Sequence, residues 1–158
     1  MRKNGIENID ELIENLAIEL SGYFIGTNYV VEFIAVPIPL KNKEANVEQI
    51  FKQYAVHEQF KQNLVNEITI ENAKNKLNNL ITDSSLNENR DGKNSDIKKA
   101  LKRIDKLWSL VSHYVSFKDS IIYSYEGLSN IGIFWSFALL IVDKKSGIAY
   151  FVGCGASD

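Results

Sequence analysis

The residues that could carry nucleophilic chemistry are few and lie far apart along the chain. Cys154 is the only cysteine, and a thiol enzyme would need His113 or His57 as the base that activates its sulfur. Asp119 or Glu32 could orient that base. A catalytic cysteine is normally held by a rigid element, whereas the glycines on both sides of Cys154 predict a small, flexible segment over residues 153–158. We therefore expect no cysteine-dependent catalysis, and an enzyme using Cys154 and a histidine stays as an alternative.

Other signatures of catalysis or cofactor binding are missing from the sequence. No glycine-rich phosphate loop leads into a helix, since Gly153 and Gly155 are followed by no helical pattern. There is no Gly-x-Ser-x-Gly elbow. The acidic residues and histidines do not show the spacing of metal ligands. We expect no enzymatic activity, no cofactor and no metal.

The composition predicts a single globular domain over residues 1–158 in the cytoplasm. The formal net charge of −2 gives no overall basic field, so direct binding to nucleic acid is not expected. The apolar run 131–142 is shorter than the roughly 20 residues that span a bilayer, so no membrane partner is expected. One cysteine allows no intrachain disulfide, which fits a reducing compartment. Fifteen lysines against three arginines, with abundant Asn and Ile, indicate an AT-rich bacterial or phage coding sequence.

The stretch 131–153 predicts the centre of the fold. Residues 133–142 contain one polar side chain, Ser136, so both faces of this strand must be covered. Residues 143–147 then predict a turn in which Gly147 takes a positive φ, and residues 148–153 predict the returning strand. Two further strands are predicted at 29–36, where Pro37 and Pro39 place the following segment at a sheet edge or outside it, and at 120–126.

Helical spacing of apolar residues predicts the cover for this sheet. One helix runs from 6 to 20, a second begins at the cap Asn46 and continues through Phe60, Leu64 and Ile68, and a third stripe spans 70–80. Ser95 is predicted to cap a helix reaching Val115. Residues 82–95 predict a flexible loop. The predicted fold is therefore α+β: a mostly antiparallel sheet of about four strands with a C-terminal meander, covered by three to four helices, with strand 133–142 central.

Charge and exposed aromatic rings indicate surface recognition. Residues 1–40 contain six acidic and two basic side chains, and residues 90–106 contain seven basic and three acidic ones, so the molecule should have an acidic end and a basic end. We expect a partner on the acidic side, with Lys99, Lys102 and Arg103 as the alternative face. Two tyrosines beside polar neighbours are expected to be half exposed. The candidate partner-binding residues are Glu7, Asp10, Glu11, Glu14, Glu32, Tyr123 and Tyr125.

These features favour a protein that binds and blocks another protein. No family motif is recognised. In size, acidity and lack of a catalytic signature the chain resembles small bacterial proteins that neutralise a partner, such as toxin-immunity proteins. The expected function is that of an immunity-type inhibitor of a cognate toxin. An adaptor or structural subunit of a larger assembly is the second alternative, and the sequence does not decide the oligomeric state.

Overall fold

A five-stranded antiparallel sheet with four helices accounts for the part of the chain that the computed structural model describes, residues 3–22, 30–42, 44–54, 62–82, 93–125 and 133–157. The predicted α+β class is confirmed, with one strand more than expected. The helices are α1 (Lys3–Gly22), α2 (Val47–Tyr54), α3 (Ile70–Thr82) and α4 (Lys93–Val111). The strands are β1 (Val30–Pro39), β2 (Val65–Ile68), β3 (Ile121–Tyr125), β4 (Ile133–Asp143) and β5 (Ile148–Ser157).

Strand β4 occupies the centre of the sheet, as predicted. The strand order is β1-β5-β4-β3-β2, and every neighbouring pair is antiparallel. The β4–β5 hairpin turns at Gly147, whose φ of 72° lies in the left-handed region that glycine adopts without a Cβ clash. The predicted C-terminal meander is therefore confirmed for β3, β4 and β5.

Both faces of β4 are buried, which explains its nearly uninterrupted apolar sequence. Leu139 and Ile141 lie in a core shared with α1, α3 and α4. Leu140 and Val142 lie in a second core, shared with α2. Successive side chains of a strand point to opposite faces, so the two cores lie on opposite sides of the sheet.

Strand β1 forms one edge of the sheet and continues through both prolines. The N–H of Leu40 donates to the carbonyl of Gly147 at 2.9 Å, so by alternation the backbone N positions of Pro37 and Pro39 face away from β5. Proline has no N–H to donate, and therefore it costs no ladder bond on this outer side. The predicted edge position is confirmed, and the strand is longer than 29–36.

Strand β2 replaces part of a predicted helix. The spacing of Phe60, Leu64 and Ile68 predicted that the second helix continues to residue 68, but α2 ends at Tyr54 and Val65–Ile68 pairs with β3. That prediction is wrong over 62–68, and residues 55–61 lie outside the described residues. Pairing with the sheet edge outweighs a local helical spacing, because strand preference depends mainly on tertiary context.

Strand β5 extends to Ser157, where the sequence predicted a flexible segment after Gly153. The backbone of Cys154 lies opposite Phe33 of β1 on one side and Phe137 of β4 on the other. Pairing on both sides holds a segment whose glycines and small residues have low strand preference. The predicted flexible tail is therefore wrong for residues up to Ser157.

Side-chain caps set the start of two helices. Asn46 Oδ1 accepts a hydrogen bond from the Gln49 N–H at 3.0 Å, which confirms the predicted cap of α2. Thr69 Oγ1 accepts from the Asn72 N–H at 3.1 Å and begins α3.

Helix α4 differs from the prediction at both ends. It begins at Lys93, ahead of the predicted cap Ser95, and it ends at Val111 instead of Val115. The N–H of Tyr114 donates to the carbonyl of Val111, a tighter bond of the kind that closes a helix. Most of the predicted loop 82–95, residues 83–92, lies outside the described residues.

Candidate partner-binding surface

Helix α1 presents acidic residues on the side opposite to the core. Its inner stripe, Ile13, Leu16 and Leu20, is buried over the sheet. Glu11 and Glu14 are exposed and three residues apart, so they lie on one side of the helix. The sequence places these two carboxylates correctly, and the buried stripe holds the helix that carries them.

Two contacts fix the direction of α1 relative to α4. The hydroxyl of Tyr114, just beyond the end of α4, donates a hydrogen bond to the Asp10 carboxylate. Nearer the C-terminal end of α1, Glu19 forms an ion pair with Arg103 of α4. Residue numbers rise along one helix as they fall along the other, so α1 and α4 run antiparallel.

Asp10 is exposed but already engaged within the molecule. The ring of its partner Tyr114 lies 5.6 Å from the ring of the buried Tyr150, measured between centroids. Burial raises the pKa of the Tyr150 phenol above its ordinary value, and the negative charge of Asp10 raises it further. Asp10 therefore links α1 to Tyr114, which packs on the sheet, and Glu11 and Glu14 are the better candidates for contact with a partner.

An apolar residue missed by the sequence analysis shares the outer side of α1. Ile18 is 63% exposed, more than the other exposed large hydrophobic residues of the described ranges, Leu12 at 39% and Ile121 at 38%. It follows Glu14 by four residues and Glu11 by seven, so all three lie along one stripe. The sequence contains a signal for this position, because the spacing of Ile18 from Glu14 and Glu11 places it on the same side of a helix.

The alternative basic face is present on α4. Lys98, Lys99, Lys102 and Lys106 are exposed on the side away from the core, whereas Arg103 is partly covered and paired with Glu19. Because α1 and α4 are antiparallel, Glu11 lies toward the C-terminal end of α4, away from Lys98, Lys99 and Lys102. Glu14 lies about one helical turn from the level of Lys106, where the acidic and basic regions meet. The described helices thus show the acidic end and the basic end that the sequence predicts.

The two candidate tyrosines lie on the other side of the sheet. Tyr125 is 4% exposed and its ring centroid is 5.5 Å from that of Phe51 in α2, so the predicted half exposure is wrong for this residue. Tyr123 is half buried in the same core. The sequence could not show that α2 covers this face. Tyr123 and Tyr125 therefore do not share a surface with the carboxylates of α1.

The remaining candidates are located by their backbone alone. Glu7 lies in α1, and Glu32 lies in the edge strand β1 opposite Gly155 of β5. The side chains of Glu7 and Glu32 lie outside the described residues. At this edge position a charged residue such as Glu32 discourages pairing of β1 with a strand of another chain.

The residues considered for thiol chemistry are dispersed over different elements. Cys154 lies in β5 by its backbone, His113 is exposed just after α4, and His57 lies outside the described residues. Asp119 accepts a hydrogen bond from the Ser116 hydroxyl at 3.2 Å and lies 3.8 Å from Lys145 Nζ. Within the described ranges, no group of three His, Cys, Asp or Glu residues could hold a metal ion.

Comparisons with known proteins identify a similar fold. No protein-family model matches the chain, and no curated protein matches it. Citrus MAF1, in a crystal structure in space group C 2 2 21, superposes with a TM-score of 0.58 at 12% identity, covering 90% of this chain and 98% of that one. The same citrus protein in space group P 31 2 1 gives 0.54 at 11% identity and equal coverage. At such identity the likeness shows the fold alone. None of the described helices is long and apolar enough to cross a membrane.

Proposed function

We propose that this chain is a protein-binding inhibitor of bacterial or phage origin, of the immunity type, that acts in the cytoplasm. In this proposal the outer side of α1 binds a basic surface of a cognate toxin and blocks it. The observation that carries it is the stripe of Glu11, Glu14 and Ile18, in which two exposed carboxylates lie beside an exposed isoleucine.

The chemistry of this stripe suits a charged protein surface. Carboxylates attract a basic partner and raise the rate of encounter, and an apolar side chain gains free energy when the contact removes it from water. Many toxic enzymes act on nucleic acid and carry basic clefts, which an acidic helix complements.

The support beneath α1 favours binding as a rigid body. Asp10 accepts a hydrogen bond from Tyr114, and Glu19 forms an ion pair with Arg103. Ile13 and Leu20 are buried beneath the helix. A surface that is already ordered loses little conformational entropy on association, which favours affinity.

A capture experiment with charge-reversal variants tests the proposal. Tagged wild-type chain is compared with Glu11→Lys/Glu14→Lys and with a matched control, Glu44→Lys/Glu48→Lys. The two control glutamates are exposed and lie beside or within α2, on the other side of the sheet. Host lysate is the probe, and each bait must show wild-type circular dichroism.

The proposal requires that a basic protein is retained by the wild type and the control, that the α1 variant loses it, and that the chain inhibits it. The captured protein should associate more slowly with the α1 variant than with the wild type. This difference in association rate should become smaller as salt screens the charges. Equal capture by all three baits, or an uninhibited partner, would overturn the proposal.

A further inference from the structure

We propose that α1 and α4 also form a two-fold symmetric contact with a second copy of the chain. In this contact the acidic part of each α1 lies on the basic part of the opposite α4. The inference shares the α1 face with the proposed function, and adds to it that self-association competes with partner binding.

The first step is the separation of charge along the helix pair. Glu19 lies beside Arg103, and Asp10 lies beside Tyr114. Counted from these contacts at 1.5 Å of rise per residue, the levels of Glu11 and Lys99 are about 18–21 Å apart along the helices. The helix pair is therefore negative toward one end and positive toward the other.

The second step is that both charged stripes face the same way. Ile13 and Leu20 of α1 and Ile104 and Val111 of α4 are buried in one core, above one face of the sheet. The residues on the opposite sides of both helices, which include Glu11 and Lys102, are exposed. One outer surface thus carries both the acidic and the basic region.

The third step is symmetry. A two-fold axis that lies in this outer surface and runs obliquely between the acidic part of α1 and the basic part of α4 turns the surface of the second copy toward the first and exchanges its ends. The helices of the two copies then cross, so that each α1 lies over the opposite α4. Acidic residues of one copy then lie on lysines of the other at both ends of the contact. Such an interface is closed, because the same patch serves both copies.

The position of Ile18 agrees with this arrangement. Its level on α1, next to Glu19, lies between the acidic residues and most of the basic stretch of α4. An exposed isoleucine at the centre with charged residues around it matches the usual anatomy of a protein interface. The partner with matching chemistry is a second copy, since one chain supplies both complementary regions.

Charge reversal followed by mixing tests this contact. The variants are Glu11→Lys/Glu14→Lys and Lys99→Glu/Lys102→Glu, and the mass of each is measured by sedimentation velocity with circular dichroism as the folding check. Wild type should be a dimer at low salt that dissociates as salt rises. Each variant alone should be monomeric, because like charges then meet at both ends.

A mixture of the two variants should restore the dimer, because opposite charges again meet at both ends. Glu44→Lys/Glu48→Lys should stay dimeric alone, and adding it to Lys99→Glu/Lys102→Glu should form no mixed dimer. A monomeric wild type, dimeric single variants or a mixture that stays monomeric would overturn the inference.

The outcome is separable from that of the proposed function. Lys99→Glu/Lys102→Glu leaves the α1 stripe intact, so it should capture the basic host protein at least as well as wild type does. Capture without dimerisation of the wild type would refute only this inference. Dimerisation without any captured partner would refute only the inhibitor proposal.

Discussion

The buried carboxylate of Asp143 accepts a hydrogen bond from the backbone N–H of Ser116 at 2.8 Å. Its other oxygen accepts from the N–H of Ser146 in the β4–β5 turn, at 3.3 Å. Ser116 belongs to the segment that leads from α4 to β3. A single side chain at the end of the central strand thus joins the hairpin turn to the end of the helix that carries the lysines.

Removal of this carboxylate should destabilise the fold. Asp143→Ala leaves the N–H groups of Ser116 and Ser146 without their acceptor, and we expect a loss of about 1–3 kcal/mol in the free energy of unfolding. Asp143→Asn keeps one acceptor oxygen and should lose less. Urea denaturation measures both, with the exposed Asp119→Ala as the matched control. Equal losses for Asp143→Ala and Asp119→Ala would show that burial of the carboxylate contributes nothing.

The same carboxylate should make the free energy of unfolding depend on pH in the acid range. Burial raises the pKa of Asp143, but the hydrogen bonds from Ser116 and Ser146 outweigh that effect and hold the pKa below the ordinary value of 3.8. As the pH falls, the unfolded chain takes up this proton before the folded one does. The stabilisation is therefore fully present above the ordinary value and is lost as the pH falls through the folded value.

Wild type and Asp143→Asn can be compared by urea denaturation across this range. The difference in unfolding free energy between them should be constant near neutral pH and should shrink below pH 3.8, the ordinary value. A difference that stays constant down to the acid transition would contradict the assignment.

The parts of the fold that the sequence predicted are those dictated by local chemistry. An apolar run without alternation requires cover on both faces, and Leu139 and Leu140 indeed lie in separate cores. Gly147 is the turn residue that takes a positive φ, and Asn46 caps its helix. The carboxylates Glu11 and Glu14 lie outside because apolar residues at steps of three and four determine which side of α1 is buried.

The errors arise where distant pairing decides the structure. The segment Val65–Ile68 is too short for alternation to be evident, and its strand exists because β3 offers an edge. Cys154 lies in a strand because β1 and β4 flank it, and no local pattern shows either neighbour. Tyr125 is covered by α2, which is remote in sequence. Ile18 lies outside the buried stripe of α1 and carries no charge, so neither the apolar spacing nor the charge pattern of the sequence, taken alone, indicates it.

Truncation on either face of β4 should test the two-sided core. Leu139→Ala and Leu140→Ala should each cost about 2–5 kcal/mol, because each removes a fully buried side chain and leaves a cavity. Leu12→Ala, which changes a partly exposed leucine of α1, is the control and should cost much less. We also expect a loss of about 2–5 kcal/mol from Trp135→Ala, because the apolar run 133–142 predicts a buried strand. The side chain of Trp135 lies outside the described residues.

Denaturant melts of these variants give the comparison directly. Large core truncations typically cost several kcal/mol of unfolding free energy. If either Leu139→Ala or Leu140→Ala lost less than about 0.5 kcal/mol, the corresponding face of the strand would not be covered.

The pairing of β5 predicts slow hydrogen exchange at its end. Residues 153–157 lie between β1 and β4, so amides that donate across either strand pair should exchange far more slowly than those of an unstructured peptide of the same sequence. Exchange measured by mass spectrometry on C-terminal peptides makes the comparison. Exchange at the unstructured rate would instead support the flexible tail that the sequence suggested.

Cys154 itself is predicted to have no catalytic role, although the reason differs from the one the sequence offered. It lies in a paired strand, and His113 and Asp119 belong to the segment after α4. Cys154→Ser should therefore capture the same host protein as wild type in the experiment above and inhibit it equally. Rapid and selective alkylation near neutral pH would contradict this prediction, because it indicates a thiolate whose pKa lies well below the ordinary value of about 8.5.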